Sequence, residues 1–213
     1  MGRWLFAGTL DRRARLAMLL AALCVALSFL GPLWSLRLGA PQYPEGLKLH
    51  VYAHKLGGRI DVINSLNHYI GMKPIDAADF PEFRYLPPAF VAVAAIMLVA
   101  ALTRRRWLAG ALVTASPALL LLLYDLYRWL YRYGHDLDPK APIRIDPFMP
   151  PVIGWNRLAN FTTLSYFNWG AILFLAGMAL VFYAWITSAP ARQSRSASLT
   201  EHLHAPKAGA TKP

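Results

Sequence analysis

Apolar residues gather into four long runs, and polar segments of very different length separate them. Leu16–Trp34, Pro88–Thr103, Trp107–Tyr124 and Phe167–Ile186 each approach or reach the roughly 20 residues that cross about 30 Å of hydrocarbon. The second run is short, so its span is placed to begin near Tyr85 or to tilt little. The pattern predicts an all-α membrane protein of four transmembrane helices, at 16–34, 88–103, 107–124 and 167–186. Residues 1–15, 104–106 and 187–213 then lie on one side, and 35–87 and 125–166 on the other.

Between the first two runs, Leu47, Leu49, Val51 and Ala53 alternate with Lys48, His50, Tyr52 and His54, the period of a half-buried strand. Gly57-Gly58 reads as a turn. Asp61 is placed to cap a helix over Val62–Ile70, whose Ile63, Leu66 and Ile70 share an apolar face while Asn64, Asn67 and His68 fall on the polar side. Gly71 supplies the stop. The insert is thus a strand, a turn and a short helix, with Asn64, Asn67 and Tyr69 as its candidate interaction residues.

Composition agrees with a membrane protein: 56% of the 213 residues are hydrophobic and only 15% charged. The net charge of +11 is unevenly placed. The first side holds eleven basic residues, including the Arg104-Arg105-Arg106 triplet, against Asp11 and Glu201; the second holds eleven basic and nine acidic. Lys and Arg near span ends stay in the cytoplasm, which places both termini and the triplet inside a bacterial inner membrane, facing anionic lipid. The basic residues are split among short membrane-flanking segments, which excludes a folded nucleic-acid-binding domain. The first run has no clear small-x-small cleavage site and ends in Gly31-Pro32-Leu33-Trp34, so it reads as an uncleaved anchor with Cys24 packed in mid-span.

Candidate chemistry concentrates on the second side. His50, His54, His68 and Met72 are borderline and soft ligands suited to copper, but on a strand His50 and His54 lie about 13 Å apart, so a site needs His68, Met72 or a partner to close it. The alternative makes these histidines interfacial hydrogen-bonding groups. After the third run comes an aromatic extension, Tyr124 to Tyr133, in which Asp125 is spaced to pair with Arg128 or Arg132. That trio reads either as a proton or quinone-headgroup site or as a local ion pair within an aromatic belt. Pro142, Pro147, Pro150 and Pro151 then deny a regular helix and predict an extended strap; Asn160 begins a glycosylation-acceptor pattern that carries little weight in a bacterial setting. The tail from Ser188, with His202 and His204, lacks apolar periodicity and is expected to be disordered. No nucleophile, base and oxyanion-donor set can be named, and an enzyme is not expected.

The strings APQYPEGL, LNHYIGMK, PFMPPVIG and ANFTTLSYF resemble a family of small bacterial polytopic membrane proteins. Some of its members are associated with gene neighbourhoods for nitrous oxide respiration and periplasmic copper-enzyme maturation. The likeness covers roughly residues 30–175. It implies an accessory to a copper-dependent respiratory enzyme, either in handling copper or in holding a maturation or electron-transfer assembly at the membrane, with a periplasmic or membrane protein as its partner. The competing reading is a structural or quinone-proximal subunit of a larger respiratory membrane complex.

Overall fold

The computed structural model describes residues 8–158 and 161–188. It contains α1 (Arg12–Ser28), β1 (Trp34–Ala40), β2 (Tyr43–Val51), β3 (Leu56–Gly58), α2 (Ile60–Tyr69), α3 (Glu82–Thr103), α4 (Arg106–Ala115), α5 (Ala118–His135), β4 (Gly154–Leu158), β5 (Phe161–Phe167) and α6 (Trp169–Thr187), with a 3-10 turn at Ala77–Asp79. The strands form one antiparallel sheet in the order β3-β2-β1-β5-β4.

The all-α, four-span architecture expected from the sequence does not hold. The fold is mixed α/β, and three helical stretches are long and apolar enough to cross a membrane: Glu82–Thr103, Arg106–His135 and Trp169–Thr187. The run Leu16–Trp34 divides between two kinds of structure, because α1 ends at Ser28 and Trp34 already belongs to β1. Seventeen residues of helix reach about 25 Å, short of the hydrocarbon thickness.

Small residues set how the helices meet. Ala14, Ala17 and Ala21 of α1 recur every three to four positions and are fully buried, which lets α1 lie close between α3 and α6. A side chain at Gly177 would come within 3.1 Å of the Ala21 carbonyl, so this crossing tolerates little more than hydrogen. Met18, Val25, Met97, Leu112 and Val181 fill the remaining space. Ser116-Pro117 separates α4 from α5; α4 packs on α6 and α3, whereas the C-terminal half of α5 covers the sheet.

The end of the bundle away from the sheet is held by arginines. Arg15 Nε donates to the Ala101 carbonyl at 2.9 Å, and Arg106, only 1 % exposed, sends Nε and Nη2 to the Trp185 carbonyl at 3.2 and 3.0 Å. Both acceptors belong to C-terminal helix turns, whose carbonyls lack intrahelical donors and carry the negative end of the helix dipole. Arg104 takes a left-handed conformation (φ 58°) to turn from α3 toward α4, and its carbonyl accepts the Leu10 amide at 2.9 Å. The start of the described chain, the arginine triplet and the end of α6 therefore share one end of the molecule.

At the other end, helix runs into strand twice. α1 leads into β1 and β5 leads into α6, so the packed pair α1/α6 continues upward as the ladder β1/β5, with Trp34 opposite Phe167. Strand alternation gives the sheet two faces. Trp34, Leu36 and Leu38 of β1 with Leu47 and Leu49 of β2 point at α2, at Leu130 and Tyr133 of α5, and at Ile75.

The insert is close to the expected strand and helix, with one turn displaced. β2 ends at Val51, and the hairpin turns over 52–55, closed by Tyr52 N to the Lys55 carbonyl at 2.9 Å. Gly57-Gly58 therefore lies in β3 rather than forming the turn. Gly58 has φ +99°, and a Cβ there would overlap the Lys48 carbonyl. α2 begins at Ile60 with no side-chain cap, so Asp61 sits in its first turn instead of capping it, and Gly71 (φ +76°) ends it as the pattern predicts. The proline-rich segment runs across the C-terminus of α2 through Asp138 N to Gly71 O (2.8 Å) and Ile143 N to Tyr69 O (2.9 Å). It then forms the β4–β5 hairpin, which the sequence reading did not contain.

Candidate functional site

Four places carry polar side chains in an organised setting. The first lies where the sheet meets α6. Asn168 is the N-cap of α6, and its Oδ1 accepts the Trp169 amide at 2.7 Å, which leaves its Nδ2 to donate to Ser35 Oγ at 2.8 Å. Ser35 Oγ lies 2.8 Å from His50 Nδ1, its direct partner across the β1/β2 ladder. We assign the serine proton to Nδ1, which puts the ring proton of neutral His50 on Nε2. Burial, and secondarily the Lys48 ammonium, holds His50 below the usual histidine pKa of 6.5. A serine beside a histidine invites a nucleophilic reading, but Ser35 is 1 % exposed and its hydroxyl is out of a substrate's reach. The chain Asn168–Ser35–His50 ties β1, β2 and α6 together.

His54 lies beyond the strand, stacked on Phe29 with centroids 4.8 Å apart, and Tyr52 stands between the His50 and His54 rings at 6.5 and 6.0 Å. Phe29 continues the stack to Phe90 and Phe174 in the bundle. His68 is on the exposed side of α2 beside Tyr69, whereas Met72 turns inward against the sheet. The four expected copper ligands thus fall in three settings, and among the described residues no three His, Cys, Asp or Glu side chains are grouped to hold a metal ion.

The second place is the contact of α2 with the sheet. Asn64 was expected on a free polar face, but its amide forms a two-bond clamp on the Ile75 backbone: Nδ2 to O at 3.0 Å, and Ile75 N to Oδ1 at 2.7 Å. Asn67 is 6 % exposed and lines a cavity of about 80 Å3 with Trp34, Leu49, Ile63, Met72 and Trp129. Its Nδ2 has no hydrogen-bond partner among the described residues. Of the three expected interaction residues only Tyr69 is exposed.

The third place is a larger cavity of about 560 Å3 between α3, α4, α5 and α6. Its walls are apolar, from Leu86, Phe90 and Val93 to Leu112, Leu122 and Met178, and its polar end holds Glu82, Tyr85 and Asp125. Glu82 and Asp125 share that end and interact directly, and Tyr85 Oη donates to Glu82 Oε1 at 3.1 Å. The expected pairing of Asp125 with Arg128 or Arg132 does not form; Asp125 turns into the cavity and both arginines are exposed. An ion pair does form nearby between Lys73 and Asp136, and the ammonium holds the Asp136 carboxyl below its ordinary range.

The fourth place is the sheet face that α2 and α5 do not cover. Arg37 of β1 and Lys48 of β2 are direct partners there, both exposed. Leu164 and Trp155 extend the same row through β5 and β4, and Trp155 is 74 % exposed. No carboxylate lies in this row. Two like charges directly opposite each other disfavour the ladder, so the fold gains nothing from keeping them adjacent. Arg37 sends Nη2 to the Glu45 carbonyl at 3.1 Å, which fixes the side chain without neutralising it.

Sequence reasoning missed Ser35, Arg37, Trp155, Asn168 and Glu82. Alternation across Trp34-Ser35-Leu36-Arg37-Leu38 carries the signal for the first two, but it adjoins a helical apolar run that masks it. Asn160 and the tail histidines His202 and His204 lie outside the described residues. The chain matches no family model, no curated protein and no solved structure.

Proposed function

We propose that the protein is a membrane-embedded accessory protein that presents the uncovered sheet face to an acidic protein partner outside the cytoplasmic membrane. The row Arg37, Lys48, Leu164, Trp155 carries this reading: two adjacent cations, fixed on a rigid ladder, beside an exposed indole. Arg and Trp are enriched where interfaces concentrate their binding energy, and basic residues without local carboxylates complement an acidic surface. Arg37 stands three residues, or about 10 Å, beyond the strand end that joins α1, which favours a folded partner over lipid headgroups.

The basic end with Arg104 to Arg106 is the cytoplasmic end in this proposal, and the sheet is extracytoplasmic. A copper-dependent respiratory enzyme, or a factor that matures it, is the partner class implied by the sequence resemblance. Docking has more support than copper handling, because the histidines are dispersed and His50 is engaged by Ser35.

Site-specific photocrosslinking in cells tests the proposal. A photoreactive residue at position 155 is expected to give a protein adduct that position 69 on α2 does not, and Arg37→Glu with Lys48→Glu is expected to abolish it. No adduct at 155, or an adduct indifferent to charge reversal, overturns the reading.

A further inference from the structure

The cavity of about 560 Å3 has the dimensions of a site for one membrane amphiphile. From Arg106 to Asp125 the helix path is about 28 Å, close to the hydrocarbon thickness, so the pair Glu82/Asp125 stands at the headgroup level of the sheet side. From that level the cavity reaches Val93 on α3, about 16 Å along its helix, and Leu112 on α4, about 20 Å from Asp125. It is a long apolar slot with its carboxyls confined to one end.

That end is electrostatically incomplete. The lining holds two facing carboxyls and a tyrosine but no Lys or Arg. Tyr85 donates to one oxygen of Glu82, and Asp125 makes no ion pair with the arginines of its own helix. Facing carboxyls beside hydrocarbon are relieved either by sharing a proton or by a positive charge with N–H donors between them, and the second is what an open slot at the headgroup level can admit. We infer that the slot binds a phospholipid with a primary-amine headgroup, its ammonium between Glu82 and Asp125 and one acyl chain along Leu86, Val93 and Met178. An anionic headgroup would meet like charge there. A quinol would supply hydroxyl donors without the positive charge. A neighbouring apolar helix would leave both carboxyls without a counter-charge.

The inference rests on the membrane placement proposed above but not on the docking partner. Resistance of the protein to a carbonate wash of membranes tests placement by itself, so its failure is distinguishable from failure of the lipid site. For the site, the wild-type protein is reconstituted in nanodiscs of equal phosphatidylethanolamine and phosphatidylglycerol. It is then stripped in mild detergent, and the retained lipid is identified by mass spectrometry. Several-fold enrichment of phosphatidylethanolamine is expected. The double variant Glu82→Gln, Asp125→Asn is expected to lose the enrichment, and Leu122→Trp to lower the total lipid retained. Equal retention of the two lipids by the wild-type protein overturns the inference whether or not the variants fold. So does retention of a quinone in place of phospholipid when native membranes are extracted, or enrichment that survives the double substitution.

Discussion

His50 Nδ1 receives the Ser35 hydroxyl proton across 2.8 Å while Ser35 is itself held by Asn168, so protonating this histidine sets a ring N–H against that donor and breaks the contact. The folded state keeps the ring neutral and its pKa below 6.5. A group that binds its proton less readily in the folded state stabilises the fold above its unfolded pKa and loses that contribution as pH falls through the folded value. Thermal unfolding in detergent is expected to show a lower midpoint at pH 5 than at pH 7.5. His50→Gln should flatten that difference.

Ser35→Ala leaves the Asn168 amide and His50 Nδ1 without their partner in a part-buried place. A loss of about 1–3 kcal/mol is expected, read as a lowered unfolding midpoint. Asn168→Ala should cost more than Ser35→Ala, because it also removes the N-cap of α6.

Lys48→Glu separates folding from docking. It turns the like-charged pair with Arg37 into an opposite-charged pair, so the fold should be unchanged or stabilised by up to about 1 kcal/mol. The adduct at position 155 should nonetheless fall. A parallel fall in stability and crosslinking would assign Lys48 a structural role instead.

Arg106→Met tests the arginine end. The buried guanidinium closes the C-terminal carbonyl of α6, so its loss should cost about 1–3 kcal/mol and lower the yield of folded protein. Arg105→Met, at a residue exposed to solvent, should leave both nearly unchanged. The two variants remove the same charge, so the difference between them reads what burial adds at Arg106: its hydrogen bonds and its stacking on the Trp185 ring.

Gly134 of α5 lies where the strap presses closest: Phe148 N donates to its carbonyl at 3.0 Å, and a Cβ would overlap the Phe148 carbonyl. Gly134→Ala is expected to lift the strap and to expose 136–153 to limited proteolysis, with the membrane helices still protected.

Much of the helical part was legible because long apolar runs announce themselves locally. The runs ending at Thr103 and starting near Trp107 and Phe167 became α3, α4 with α5, and α6, with α3 beginning at Glu82 ahead of its apolar stretch and α5 continuing past Tyr124 to His135. α2 was legible for a similar reason: Ile63 and Leu66 share one face, and Gly71 marks the end. The sheet was half hidden. β2 alternates in a polar setting, whereas β1 begins at Trp34 on the end of an apolar run, and β5 follows a cluster of prolines. Neither has a hydrophobic period long enough to outweigh its neighbours. The pairing of Glu82 with Asp125 was not readable at all, since it depends on how α3 meets α5. The apparent partners of Asp125 by spacing, Arg128 and Arg132, lie on the outside of the same helix.

The ladder between β1 and β5 joins segments far apart in synthesis: Ser35 and the Asn168 amide that holds it are separated by 133 positions. β1 finds β2 at once through a tight hairpin, but its other edge waits until every helix but the last has been made. A nascent chain arrested after α5 therefore carries a three-stranded half-sheet with an open edge, the kind of surface that recruits stray strands. Arrival of β5 and α6 closes that edge and seats α6 against α1, so the sheet and the helix bundle are completed by the same late-made stretch of chain.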